Sequence, residues 1–134
     1  MSAFQWPARV YYEDTDAGGV VYYANYLRYL ERARTEWFRA HGHNQLALAT
    51  DPGVLFAVAE VSVRYRRPAR LDDLLITSCV AARAGAASVV FGQQIRRGRE
   101  DGELLAEATV RVVCVDANGF QPRRLPPQII GDLQ

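Results

Sequence analysis

The sequence predicts an α+β fold in a single domain, residues 1–134: one long helix with an antiparallel sheet of five to six strands. Three observations carry this. Only one segment, from about Ala24 to Ala40, has a helical period sustained over several turns. The runs on either side alternate apolar and polar residues in the manner of strands. The later runs follow one another through short breaks bearing turn residues, and such connections join antiparallel neighbours.

Pro7 to Tyr12 reads as a first strand, with Val10 and Tyr12 alternating against Arg9 and Tyr11. The polar loop Glu13-Asp14-Thr15-Asp16-Ala17-Gly18-Gly19 follows. In the helix, Tyr26, Leu30, Ala33, Trp37 and Ala40 recur at spacings of three and four, and Tyr29 widens the stripe. Gly42 is its natural stop. Strands are then expected over Val54–Arg66, Leu74–Ala84, Ala87–Arg96 and Leu104–Asp116, with hairpin turns at Arg97–Gly102 and Asn118-Gly119. A last short piece, Phe120–Leu125, would return along the sheet. One helix covers only one face of such a sheet, so a second subunit is expected on the remaining apolar surface.

Composition narrows the function classes. With 16 basic and 15 acidic side chains the net charge is +1, which argues against nucleic acid as the main partner. Cys79 and Cys114 lie in apolar runs without a CxxC motif or a Cys/His cluster, so no metal site is expected and both read as buried thiols of a reducing compartment. Residues Met1 to Arg9 lack the charged start and long apolar stretch of a signal peptide, and no apolar run is long enough for a membrane helix. A cytoplasmic location is the expectation.

The densest chemical signal is the run from Arg9 to Tyr26, where a carboxylate, Asp16, sits in a glycine-bearing loop just before the long helix. The first N–H groups of a helix have no partner within it and polarise carbonyls or bind anions. Gly18 and Gly19 let the backbone approach a ligand closely. A carboxylate beside such donors has the parts needed for acyl transfer to water. Two acids in a loop before a helix are usually capping or solvated turn residues, so spacing alone is weak evidence for that chemistry.

The stretch Arg9-Val10-Tyr11-Tyr12-Glu13-Asp14-Thr15-Asp16-Ala17-Gly18-Gly19-Val20-Val21-Tyr22, with Asn25-Tyr26 and Glu31-Arg32-Ala33-Arg34-Thr35-Glu36, resembles the Tol-Pal-associated acyl-CoA thioesterases. These belong with the 4-hydroxybenzoyl-CoA thioesterase family of the hotdog superfamily. The resemblance continues through Pro68–Asp73, Val112–Asp116 and Pro122–Pro126 and covers nearly the whole chain. It implies a helix wrapped by an antiparallel sheet, and a homodimer or dimer of dimers with active sites where two sheets join. It implies an acyl-CoA substrate, or acyl carrier protein as the thiol carrier, and no cofactor beyond the coenzyme A of the substrate. Asp16 matches the family's catalytic carboxylate, acting as nucleophile or general base. The backbone N–H of Tyr23 matches the oxyanion donor, and Asp14 falls on a position read as loop support. Close members commonly carry His where this chain has Tyr23; the hydroxybenzoyl branch carries Tyr. A backbone donor survives either choice.

For the phosphates of coenzyme A, Arg66, Arg67 and Arg123 are the preferred contacts, because guanidinium pairs well with oxyanions. Ser88 is a candidate for the pantetheine arm, or else a sheet-surface hydroxyl. His41 and His43 flank Gly42 far along the helix from Asp16 and suit its C-terminal dipole. Two rival functions are a hotdog hydratase, which needs a well-placed His, and a non-catalytic acyl- or acyl-carrier-protein-binding scaffold.

Overall fold

The computed structural model describes residues 3–134. Five strands form one antiparallel sheet: β1 (Phe4–Arg9), β2 (Val54–Tyr65), β3 (Leu74–Arg83), β4 (Ser88–Arg97) and β5 (Leu104–Asp116), in the order β1-β3-β4-β5-β2. The chain starts on one edge, crosses the inner face as helix α1 (Tyr26–Ala40), and takes the other edge as β2. The long helix inside a curved antiparallel sheet is the hotdog arrangement expected.

Helix α1 buries Tyr26, Tyr29, Leu30, Ala33, Trp37 and Phe38 against the sheet. Phe38 meets Phe56 of β2 at 5.0 Å between ring centroids and Phe91 of β4 at 6.0 Å, so one side chain ties the helix to two strands. Ala40, expected in the stripe, is exposed. The helix ends as its glycine predicts. Gly42 has φ +83°, its N–H bonds the Arg39 carbonyl at 2.9 Å, and the His43 N–H reaches back to Phe38 at 2.8 Å.

Several boundaries differ from expectation. The first strand lies three residues earlier, at Phe4–Arg9, where it pairs with β3 from Phe4↔Cys79 to Arg9↔Leu74. Its Pro7 lacks an N–H, which an edge strand tolerates. Beyond Arg9 the chain leaves the sheet, because the Tyr11 N–H is taken by the Asp14 carboxylate and Tyr12–Asp14 close a 3₁₀ turn. Phe120–Leu125 forms the isolated bridge Val115↔Pro122 rather than a strand, so among the described residues the sheet has five strands. Two short helices were not anticipated: α2 (Gln45–Thr50), capped by the Asn44 side chain, and α3 (Pro127–Ile130). Among the described residues no helix is long and apolar enough to cross a membrane.

Candidate active site

Residues 15–21 fold into a tight lobe between β1 and α1. Thr15 bridges Val21, the Asp16 N–H bonds the Val20 carbonyl at 2.9 Å, and the Gly19 N–H bonds the Asp16 carbonyl at 3.0 Å. Gly19 has φ +79°, which a side chain rarely adopts and glycine does freely. The far side of the lobe is anchored by Val20↔Arg70 and by the Val21 N–H on the Ala69 carbonyl at 2.8 Å. The chain then turns through a 3₁₀ turn, Tyr23–Asn25, that runs directly into α1. Sequence periodicity extends the helix over this turn; in the structure α1 begins at Tyr26.

The lobe presents two groups. Asp16 is exposed, and its Oδ1 accepts the Gly18 N–H at 2.8 Å. Among the described residues its Oδ2 has no hydrogen-bond partner. That single local bond is what any turn aspartate forms, so it leaves the carboxylate available to a ligand. A Cβ at Gly18 would stand 3.2 Å from Asp16 Oδ1, so the Asp16 carboxylate would have to shift by a few tenths of an ångström to admit it. The second group is the N–H of Tyr23 at the start of its turn, which finds no acceptor among the described residues. The Tyr23 carbonyl is pinned by the Tyr65 hydroxyl at 2.8 Å, and the Tyr26 hydroxyl accepts the Ala69 N–H at 3.0 Å.

Asp14 behaves differently from Asp16, although the two are two residues apart. It is 6% exposed. Its Oδ2 accepts the Tyr11 N–H at 2.8 Å and its Oδ1 the Asn25 Nδ2 at 2.9 Å, while its own carbonyl accepts the Tyr22 N–H at 2.9 Å. The Tyr29 hydroxyl is buried beside it without a hydrogen bond of ordinary geometry. Burial opposes ionisation of Asp14, but the Tyr11 N–H, Tyr29 and Asn25 together with the Arg32 charge outweigh it and hold the carboxyl below its ordinary value. The same burial, with the Asp14 charge, pushes the Tyr29 hydroxyl far above the usual phenol range.

The other predicted residues fall into two places. Arg66 and Arg67 share a depression of about 260 Å³ with Val21, Tyr23, Tyr26, Tyr65 and Pro68, beside the Asp16 lobe. Arg66 pairs with Glu107 at 3.1 Å and Arg67 with Glu103 at 3.7 Å; both are exposed. Ser88 and Arg123 stand at the opposite end of the sheet. Ser88 pairs with Val113 and Tyr65 with Ala106, positions separated by roughly 23 Å along β5 at about 3.3 Å per residue. Ser88 is buried and accepts a hydrogen bond from Arg111 at 3.1 Å. Arg123 donates to the Pro52 carbonyl at 2.9 Å in a cleft of about 550 Å³ also lined by Arg83 and Arg124. The chain itself therefore gathers Asp16, Gly18, Gly19, Tyr23, Arg66 and Arg67 at one end, but not Ser88 or Arg123.

His41 bonds the Trp37 carbonyl through Nδ1 at 2.8 Å, as a histidine at a helix C-terminus does. His43 is instead paired with Asp132 at 2.6 Å, a contact no sequence spacing announced. Neither lies near the lobe. Tyr11, Tyr12 and Tyr22, all exposed around it, were not singled out from sequence.

An acyl-CoA thioester hydrolase, YbgC, of Escherichia coli O6:H1 is 47% identical over 131 residues, covering 98% of this chain and 96% of that protein. A 1,4-dihydroxy-2-naphthoyl-CoA hydrolase of Nostoc punctiforme is 30% identical over 128 residues, covering 96% of this chain and 84% of that one. The solved structure of a 1,4-dihydroxy-2-naphthoyl-CoA thioesterase from Synechocystis superposes with a TM-score of 0.88 over 98% of each chain; at 24% identity it speaks for the fold alone. The family model for the thioesterase-like superfamily matches residues 10–133, and the chain belongs to that superfamily.

Proposed function

We propose that this protein hydrolyses an acyl-CoA thioester to the free acid and coenzyme A. The observation that carries this is an exposed Asp16 with one unengaged oxygen on the lobe, and on the turn that follows it a Tyr23 N–H without an acceptor among the described residues. In the proposed reaction the thioester oxygen rests on the Tyr23 N–H, which takes up the charge that develops there. Asp16 either removes a proton from the attacking water or attacks the carbonyl carbon itself, forming an anhydride that water opens. Either route expels the coenzyme A thiolate and leaves the acid.

The active unit in this reading is a dimer joined along β2. This edge strand is 12 residues long, and among the described residues no other strand pairs with its outer side. It exposes Val58, Val61 and Tyr65. Antiparallel pairing of β2 with its own copy sets the Tyr65 end of one protomer beside the Val54 end of the other. The Asp16 lobe adjoins the first end through the Tyr65–Tyr23 bond, and Arg123 adjoins the second through Pro52 and Gly53. The thioester would thus meet Asp16 and Tyr23 of one protomer, with Gly18 and Gly19 leaving room for it. Arg66 and Arg67 of that protomer and Arg123 of its copy are the proposed phosphate contacts; Ser88 of the copy is the proposed contact for the arm between.

Purified wild type and Asp16→Asn, assayed for thiol release across a panel of acyl-CoAs, test the proposal. Wild type is expected to turn over at least one, and the folded variant to lose roughly 10²–10⁴ in rate. Absence of thiol release from every acyl-CoA overturns it.

A further inference from the structure

The two reactive groups of the lobe lie on different pieces of chain, and one buried side chain joins those pieces. Asp16 follows Asp14 by two residues, and Tyr23 precedes Asn25 by two. The Asp14 carboxylate accepts from the Tyr11 N–H on the incoming side and from the Asn25 amide on the outgoing side, at 2.8 and 2.9 Å. Its carbonyl holds Tyr22, the residue before Tyr23, at 2.9 Å. Each reactive group is therefore a short, stiff step from an anchor on the same residue. Both side-chain partners donate, and the carboxylate meets each of them with its own oxygen. An amide in its place loses the charge and keeps one acceptor, and the second contact then survives only if the Asn25 amide turns over to present its oxygen. Arg32 lies within charge reach, and the buried Tyr29 hydroxyl faces the same carboxylate.

We propose that Asp14 is a positioning residue for the hydrolysis: its buried carboxylate clamps the Asp16 loop to the turn bearing the Tyr23 N–H and so sets the gap between them. The assignment rests on the hydrolase reading above. Asp14 touches no substrate in this scheme and acts through Asp16. A misplacement of about 1 Å between a reacting group and its substrate can cost about 10²-fold in rate.

The test is steady-state and single-turnover kinetics of wild type, Asp14→Asn, Asp16→Asn and the double variant on an acyl-CoA that the wild type hydrolyses, with folding checked by near-UV circular dichroism. Asp14→Asn is expected to lower kcat by about 10- to 100-fold while KM stays within about threefold. Placed on Asp16→Asn, the same change is expected to cost much less, because one of the two groups whose gap it sets is gone. A merely structural role would lower both backgrounds alike. Should Asp14→Asn fail to fold, Asn25→Ala cuts the outgoing link and spares the Tyr11 bond; it is held to the same kcat-only, non-additive pattern, with a loss of about tenfold. Unchanged kcat in a folded variant, a change confined to KM, or a full loss on both backgrounds overturns the clamp alone. A wild type without turnover removes the hydrolase reading and the clamp with it.

Discussion

Two aspartates two residues apart come to opposite fates, and local hydrogen bonding decides which. Asp14 is turned inward onto two donors, while Asp16 is left exposed with one oxygen free. The pH dependence of stability should carry the mark of the first. Asp14 ionises more readily in the folded chain than in the unfolded one, so its contribution is fully present above the ordinary carboxylate value of about 4 and is lost as pH falls through the lower folded value. Melting temperature measured between about pH 6 and pH 3 is expected to fall for the wild type, and to fall less steeply for Asp14→Asn. Sequence alone marked Asp16, Gly18 and Gly19, because a carboxylate and a glycine pair before a helix form a pattern. It could not tell which carboxylate is buried, since that depends on Asn25 and Tyr29, a turn or more downstream.

Among the elements, periodic stretches were legible and short or interrupted ones were not. The helix and the four later strands stand within a few residues of their expected places, because each repeats its pattern over many positions. Helix α2 has only six residues, too few to display a period, although Asn44 caps it. Phe120–Leu125 looks strand-like in composition, yet Phe120 adopts φ +56° and Pro122 offers no N–H, so no ladder forms. Phe38 escaped the helical stripe because it lies next to Trp37 and so about a quarter-turn round the axis. It is buried all the same, since the sheet curls far enough to reach it with Phe56 and Phe91. Phe38→Ala is accordingly expected to cost about 3–5 kcal/mol in urea unfolding, with the m-value preserved.

For the molecule as a whole, the two ends of the sheet carry different halves of the proposed site. The predicted phosphate contacts could be drawn from sequence as arginines, but their division between ends follows from strand register, which no local pattern encodes. The sequence raised the expectation of a second subunit, because one helix cannot cover both faces of a sheet. The proposed place of contact was not legible from sequence, because it rests on the strand order that leaves β2 on an edge. A charge on that edge should separate them. Val61→Glu sets like charges near the proposed two-fold axis, and sedimentation velocity is expected to show the mass of the main species halved. Persistence of the wild-type assembly would place the interface elsewhere.

The two cysteines give this enzyme a further property. Cys79 and Cys114 are both buried, and burial pushes the Cys79 thiol up to about 12 and raises Cys114 as well. Native protein at neutral pH therefore offers almost no thiolate to an aromatic disulfide dye. The colour that develops during turnover reports released coenzyme A with little background from the catalyst. When the chain opens, both sulfurs become reactive, so the same dye without substrate times each excursion out of the folded state. One reagent thus serves as the readout of catalysis and as a stopwatch for unfolding, with no label added to the protein.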